Sequence, residues 1–401
     1  MKYIVVVCDG MSDRPLEKLG GRTPMEAAHK PNMDSIAARG NSGMLQTIYQ
    51  DLPADSGVAN LSLLGYDPHK YYPGRGPLEA MNMNIDLMPG DVALRCNTIT
   101  EKEGVLVDYS AGHITNEESG ELMEYLNEEL GDEFVSFHPG ISYRHVMVLR
   151  MKYSPDVDCQ PPHDIVGSKI SENLVKPLND KAVETAQLLN RLILASKDLL
   201  EDHPVNARRA KAGKNPANLI WPWGPGRKPN LPSFRRMFGV HGSIISAVDI
   251  IKGIGRVAGL NVINVPGATG YLDTNYEGKA DAALASLKDG DFVYIHIEST
   301  DESGHEGDIK HKVKAIEDID GKVVGRILEK VGGDFTIGVL PDHATPIAVR
   351  THTDDPVPFA IYSTKREKKD NVKVYSEREA KRGYYGTLDG PKFMRIMTKG
   401  E

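Results

Sequence analysis

Asp301 and His305 stand four residues apart in DESGHEGD (301–308), directly after the apolar run FVYIHIEST. Two chemistries fit that spacing. Ser299 and Glu302 have capping-box spacing, so the acids can start a helix and complement its dipole. Residues four apart also share a helix face, so Asp301 and His305 can grip one cation together. Two further acids occupy comparable places. YIVVVC (3–8) ends in Asp9, and FTIGVLP leads to Asp342 with His343 beside it. His352, in RTHTDDPVPFAIYS, lies just upstream of another strand-like run. Each acid alone is an ordinary cap. Three such ends, two with a histidine adjacent or four residues on, point together to a metal site. Asp and His without Cys suit Mn²⁺ or Zn²⁺, with Mg²⁺ or Co²⁺ also compatible. Two histidine-containing clusters suggest two metals, which at about 3.5–4 Å apart serve phosphoryl transfer. For His29, His69, His138, His163 and His203 an ordinary core or surface role is expected.

A nucleophile is available in PADSGVANLSLLGYDP (53–68), where Ser56 opens a helix-like run. The N–H groups of a helix N-terminus attract an anion. A serine held there by a metal can be deprotonated at neutral pH. Alternatively, Ser56 is simply the N-cap. P-loop, HExxH and GxSxG motifs are absent, and GIGRVAG (253–259) has the wrong glycine spacing for a dinucleotide fingerprint.

The acids need a scaffold that brings them together. YIVVVC, GLNVINV (259–265), DFVYIHIE (291–298), DFTIGVLPD (334–342) and VPFAIYS (357–363) read as buried strands. Helical patterns lie between them, including PNMDSIAARG (31–40), KADAALASLKD and the long HKVKAIEDIDGKVVGRILEKV. The alternation predicts an α/β domain with a mostly parallel sheet and helices on both faces. The carboxyl ends of its strands then face one crevice, where ligands bind. The middle differs: a helix over 116–130, then EFVSF and YRHVMVLRM, predict a small α+β insert. A helix over 179–202 follows. Residues 203–239, rich in Pro, Gly and Arg, are expected to be an extended connection or pocket edge.

Composition narrows the classes. The 401 residues suffice for two domains, and 40% hydrophobic with 26% charged residues is ordinary for a globular protein. A net charge of −8 argues against a nucleic-acid partner. Three scattered cysteines argue against a disulfide framework. No run approaches a membrane span or a signal-peptide core, so a soluble, cytoplasmic protein is expected. A homo-oligomer remains open.

VVVCDG, DSGVANLSLLGYDP, ESTDESGHEGD, PDHATP and THTDDPVPF together resemble the alkaline phosphatase superfamily. More narrowly, they resemble the archaeal-type cofactor-independent (2,3-bisphosphoglycerate-independent) phosphoglycerate mutases. The likeness extends to YYPGRGPLEA and TNYEGKADAAL and so runs through most of the chain. It implies an alkaline-phosphatase-like three-layer α/β/α core, residues 1–85 and 179–401, with an inserted substrate-binding cap over 86–178. It further implies two divalent ions, most commonly Mn²⁺, and no 2,3-bisphosphoglycerate. One ion would be held by Asp301, His305 and His352. The other would be held by Asp9, Asp342, His343 and Ser56, which is also the nucleophile. Gly57 departs from the pattern, standing where an acid often follows the serine. His113, in DYSAGHIT, matches a histidine expected to bind the phosphoryl or carboxylate end of a small phosphorylated acid; Arg144, in SYRH, suits a carboxylate or phosphate and Lys252 is a candidate for the phosphate side, with surface salt bridges the alternative for these two. The implied activity is interconversion of 3-phosphoglycerate and 2-phosphoglycerate through a phosphoserine. The same metal site also suits a phosphatase, a phosphonate hydrolase or a small-alcohol phosphotransferase, and a metal-binding structural or sensor protein of this fold would not need Ser56.

Overall fold

The computed structural model describes residues 1–366 and 369–400. The chain divides into two compact units, Met1–Tyr72 with Leu231–Glu401, and Pro73–Asn230.

Eight strands of the first unit form one sheet. Their order is Asn261–Ile263, Gly242–Ile245, Phe292–Ile297, Lys2–Cys8, Phe335–Leu340, Val357–Ser363, Asn41–Gln46 and Thr387–Asp389. The first five run parallel, and only Val357–Ser363 opposes its neighbours. β-Branched and apolar residues make Lys2–Cys8 a strand buried on both faces. Ile4, Val6 and Cys8 pack with the helices Pro31–Arg39 and Tyr276–Ser286. The other face carries the helices Ser56–Leu63, Asp249–Val257 and Gly390–Lys399, the first of which packs against both others. Gly338 belongs to that face, since a Cβ there would lie 2.9 Å from Met397 Sδ. Both faces are therefore covered, as the strand-helix alternation predicts.

The sheet order matters for chemistry. Phe292–Ile297, Lys2–Cys8 and Phe335–Leu340 are adjacent and parallel, with Cys8 opposite Ile297 and Val7 opposite Leu340. Their carboxyl ends therefore finish level, and Asp9, Asp301 and Asp342 follow at one edge. Val357–Ser363 is antiparallel, so its start, with His352 before it, lies at that same edge. Asn41–Gln46 runs against Val357–Ser363 and so also ends there, leading to Ser56.

One helix departs from the periodicity. The pattern of HKVKAIEDIDGKVVGRILEKV is split into Ile309–Asp318, a π-helical stretch Ile319–Gly325, and Arg326–Lys330. The carboxylate of Asp320, in the wide turn, accepts from Asn32 N–H (3.2 Å) and Met33 N–H (2.7 Å) and caps the helix Pro31–Arg39.

The second unit is wider than the 86–178 expected. Strand Leu219–Arg227 pairs antiparallel along Val92–Lys102, and helix Val183–Leu200 packs on that strand. These contacts draw the C-terminal flank into the compact unit, and helix Arg75–Asn82, packed on both strands, draws in the N-terminal one. The segment 203–239, expected to be irregular, holds the helix Pro204–Lys211, this strand and the helix Phe234–Phe238. Pro222 and Pro225 hide the strand in the sequence. They are tolerated because, among the described residues, the strand pairs on one side only. The helix expected over 179–202 begins later, after a 3₁₀ turn at Asp180–Ala182. The unit opens and closes at one place: a Cβ on Gly226 would lie 1.5 Å from Pro73 O, so only glycine allows that approach.

Within this unit Glu79 bonds to Arg95 Nη1 at 2.7 Å and Arg75 Nε at 2.9 Å. Burial opposes ionisation of Glu79, and Arg95 and Arg75 outweigh it, holding the carboxyl below its usual range. Glu79→Gln is expected to strand the buried Arg95 guanidinium and destabilise the protein by about 3 kcal/mol, read from urea unfolding. The folded pKa is depressed, so this contribution is full above the unfolded value near 4.5 and is lost as pH falls through the folded one.

Candidate metal and nucleophile site

The sheet edge gathers seven side chains predicted from the sequence, all within the first unit. Asp9, Asp342 and His343 offer ligand atoms within 4.8 Å of one another, and so do Asp301, His343 and His352. His343 thus stands in both groups, not one. Its ring stacks on that of His352 at 3.9 Å. His305 joins through Nε2, 3.2 Å from Asp301 Oδ2 and 3.2 Å from His352 Nε2.

Proton positions follow from the partners. His305 Nδ1 faces Arg350 O at 3.0 Å, and His352 Nδ1 faces Ala54 O at 2.9 Å. A carbonyl only accepts, so both Nδ1 atoms donate, and both Nε2 atoms turn toward Asp301 and each other. Two such nitrogens 3.2 Å apart need a proton or a cation between them. Burial pulls the His305 imidazole down, yet Asp301 outweighs it and holds it up at about 9, so a proton fills that place when no cation does. The Thr345 hydroxyl donates to Asp301 Oδ1, so at 3.2 Å it accepts from His343 Nδ1. That leaves His343 Nε2 unprotonated, 3.1 Å from Ser56 Oγ and 3.3 Å from Asp9 Oδ1. Burial, helped by His352 and His296, outweighs the Asp342 and Asp301 charges and lowers its pKa to about 4, so this ring stays neutral.

Asp9 completes the case for a cation. Burial and then the Asp342 and Asp301 charges push its carboxyl well above the usual range. Among the described residues its buried Oδ1 has no hydrogen-bond partner. An orphaned carboxylate oxygen, three converging acids and imidazole nitrogens turned toward them suit a divalent ion bound by nitrogen and oxygen.

The competing cap readings do not hold. Helix Ser299–Glu306 starts at Glu298 without a side-chain cap, so the Ser299–Glu302 box does not form. The cap of helix Ser56–Leu63 is Asp55, whose Oδ1 accepts from Val58 N–H at 3.1 Å. Ser56 is the first helical residue, and its hydroxyl is turned to His343. Gly57 is crowded, since a Cβ there would lie 2.8 Å from both Ile250 Cδ1 and Asp55 Oδ1, and an acid would need both side chains to shift.

A family profile described as 2,3-bisphosphoglycerate-independent phosphoglycerate mutase matches residues 37–206. The 2,3-bisphosphoglycerate-independent phosphoglycerate mutase of Methanosarcina mazei is 50% identical over 402 residues, covering 100% of both chains. The chain belongs to this family. The 2,3-bisphosphoglycerate-independent phosphoglycerate mutase of Methanopyrus kandleri is 42% identical, covering 99% of this chain and 95% of that one. A solved Pyrococcus horikoshii protein is 32% identical with a TM-score of 0.84, covering 100% of this chain and 97% of that one. The cofactor-independent phosphoglycerate mutase of Thermoplasma acidophilum is 29% identical with a TM-score of 0.66, covering 100% and 99%.

The other residues expected to contact substrate fall in both units. Lys252 lies on helix Asp249–Val257, its Nζ 3.3 Å from Asp249. His113 and Arg144 belong to the second unit. His113 is exposed, holds φ +49°, and its ring meets Tyr143 edge-on at 6.0 Å. The Arg144 guanidinium lies 5.8 Å from the Tyr143 ring centroid, and among the described residues its buried Nε has no partner.

Sequence reasoning missed the residues beneath the ligands. Asn60 Nδ2 donates to Ser56 O (2.8 Å) and Asp342 Oδ2 (2.6 Å), and Tyr294 donates to Asn60 Oδ1. A signal existed: Tyr294, His296 and Glu298 alternate through FVYIHIE, three polar groups on one side of a strand read as wholly apolar.

Proposed function

We propose that this protein interconverts 3-phosphoglycerate and 2-phosphoglycerate without 2,3-bisphosphoglycerate, with Ser56 as nucleophile. The observation that carries the reading is Ser56 Oγ, freed from capping by Asp55 and set 3.1 Å from the unprotonated Nε2 of His343. Asp9, Asp342, His343 and Ser56 would hold one divalent ion, and Asp301, His305 and His352 the other; His343 also lies close enough to Asp301 and His352 to face both. Mn²⁺ suits this donor set, and bound ions there would lower the serine's pKa and offset charge on the phosphoryl oxygens.

The chain's own residues supply the rest. Ser56 Oγ bonds to phosphorus as the substrate's C–O–P ester bond breaks at the phosphorus–oxygen link. The N-terminus of helix Ser56–Leu63 favours the phosphoryl charge. Glycerate turns, and its other hydroxyl oxygen bonds to phosphorus as the Ser56–phosphorus bond breaks, restoring the serine. Each proton given up by an attacking hydroxyl is returned to the departing oxygen. His113, Arg144 and Lys252 remain the candidates for contacting the small phosphorylated acid, and Arg144 is supported by a buried Nε that has no partner among the described residues. Water must be excluded, since hydrolysis of the phosphoserine would give a phosphatase.

Purified protein given 3-phosphoglycerate and Mn²⁺, without 2,3-bisphosphoglycerate, is expected to form 2-phosphoglycerate with no release of inorganic phosphate. EDTA is expected to stop it. Release of phosphate at the rate of substrate loss would make the protein a phosphatase instead.

A further inference from the structure

Three ionisable side chains lie behind the carboxylates and take no part in the chemistry described above. His296 Nε2 is 3.3 Å from Asp342 Oδ2 and 3.6 Å from Asp9 Oδ2. Its Nδ1 is 3.2 Å from Glu298 Oε1. Glu298 Oε2 receives Lys279 Nζ at 2.6 Å, while its Oε1 also accepts from the Ser246 hydroxyl and Ala247 N–H, each at 2.9 Å. Lys279 donates a second bond to His296 O at 3.0 Å. The side chains of His296 and Lys279 are 0% exposed and that of Glu298 is 3%.

Burying such a chain is expensive, and apolar residues of the same volume would pack the sheet as stably. A rigid, fully partnered chain supplies fixed orientation instead. Both imidazole nitrogens face carboxylate oxygens, so the ring is located from both ends. Its plane then sets where Asp342 and Asp9 can turn. Asp342 is further held by Gly10 N–H (3.1 Å), His343 N–H (2.9 Å) and Asn60. Asp9 has no such bonds to its Oδ1, so His296 is the group that flanks it from behind.

We propose that His296, backed by Glu298 and Lys279, is a positioning residue that fixes the carboxylates of Asp9 and Asp342 for a divalent ion. This rests on the metal reading under the proposed function.

The test is Mn²⁺ titration of chelator-treated, refolding-checked full-length protein, followed by calorimetry and by the electron paramagnetic resonance of free Mn²⁺. His296→Leu is expected to weaken Mn²⁺ binding about 10–100-fold. His296→Gln, whose amide can still donate toward Asp342, is expected to recover most of that loss. KM for 3-phosphoglycerate at saturating Mn²⁺ is expected to stay unchanged in both. Should His296→Leu fail to fold, Glu298→Gln keeps the shape of the chain and is expected to weaken Mn²⁺ in the same direction. Unchanged or tighter Mn²⁺ binding, with only a lower unfolding midpoint in both metal-free and metal-loaded forms, would make the chain structural and overturn the inference. Wild-type protein that binds no Mn²⁺ would overturn the metal site itself, and the inference with it.

Discussion

Ser56→Ala is expected to lower kcat by on the order of 10⁴-fold or more while the protein stays folded and still takes up Mn²⁺. The helix keeps its start, because its cap is Asp55 and not the substituted residue. Alanine is also the better helix former, so no loss of stability should obscure the result. The coupled mutase assay measures the loss. Intact-protein mass spectrometry of rapidly quenched samples gives a second readout, with a phosphorylated form in the wild type and none in the variant. Turnover within tenfold of the wild type would remove Ser56 from the mechanism and favour direct transfer between the substrate's own oxygens.

Gly10→Ala is expected to damage the same site from the backbone side. Gly10 holds φ +61°, and a Cβ there would lie 2.4 Å from Asp301 Oδ1, 2.6 Å from Thr345 Oγ1 and 2.8 Å from Asp301 Cα. A side-chain oxygen can rotate away, but the Asp301 Cα cannot. The methyl group would therefore push apart the segments that follow two adjacent strands. It would also disturb the bond from Gly10 N–H to Asp342. A loss of roughly 3 kcal/mol or more in urea unfolding is expected, with weakened Mn²⁺ uptake. A variant within about 1 kcal/mol of the wild type would show that this edge yields more easily than the contacts imply.

Much of this was legible in the sequence, for identifiable reasons. Strands buried on both faces are uninterrupted apolar runs, so VPFAIYS marks Val357–Ser363 to the residue. Their acids stand out because little else polar is near. What the sequence hid depends on partners. Whether Ser56 or Asp55 caps the helix is a matter of which oxygen reaches Val58 N–H, and both residues are good caps. The sequence sets His343 beside Asp342 alone, whereas in the fold its ligand atoms lie within 4.8 Å of both groups. The strand Leu219–Arg227 was invisible because prolines and glycines suppress any period, and only pairing with Val92–Lys102 makes it a strand. His296 and Glu298 sat within a run whose apolar neighbours masked them.

The close approach of Gly226 to Pro73 bears on how the chain finds its fold. The ligand side chains at the sheet edge come from positions 9 to 352, and the whole of Pro73–Asn230 intervenes between Ser56 and most of them. Such wide separation slows folding when every intervening residue must be drawn in as loose chain. Here the intervening segment starts and ends side by side. Once it has folded it acts on the remaining polypeptide as a short turn, and the entropy of closing the sheet is that of a small loop. The ligand side chains, all carried by the first unit, can then come together without the intervening segment being drawn in as loose chain.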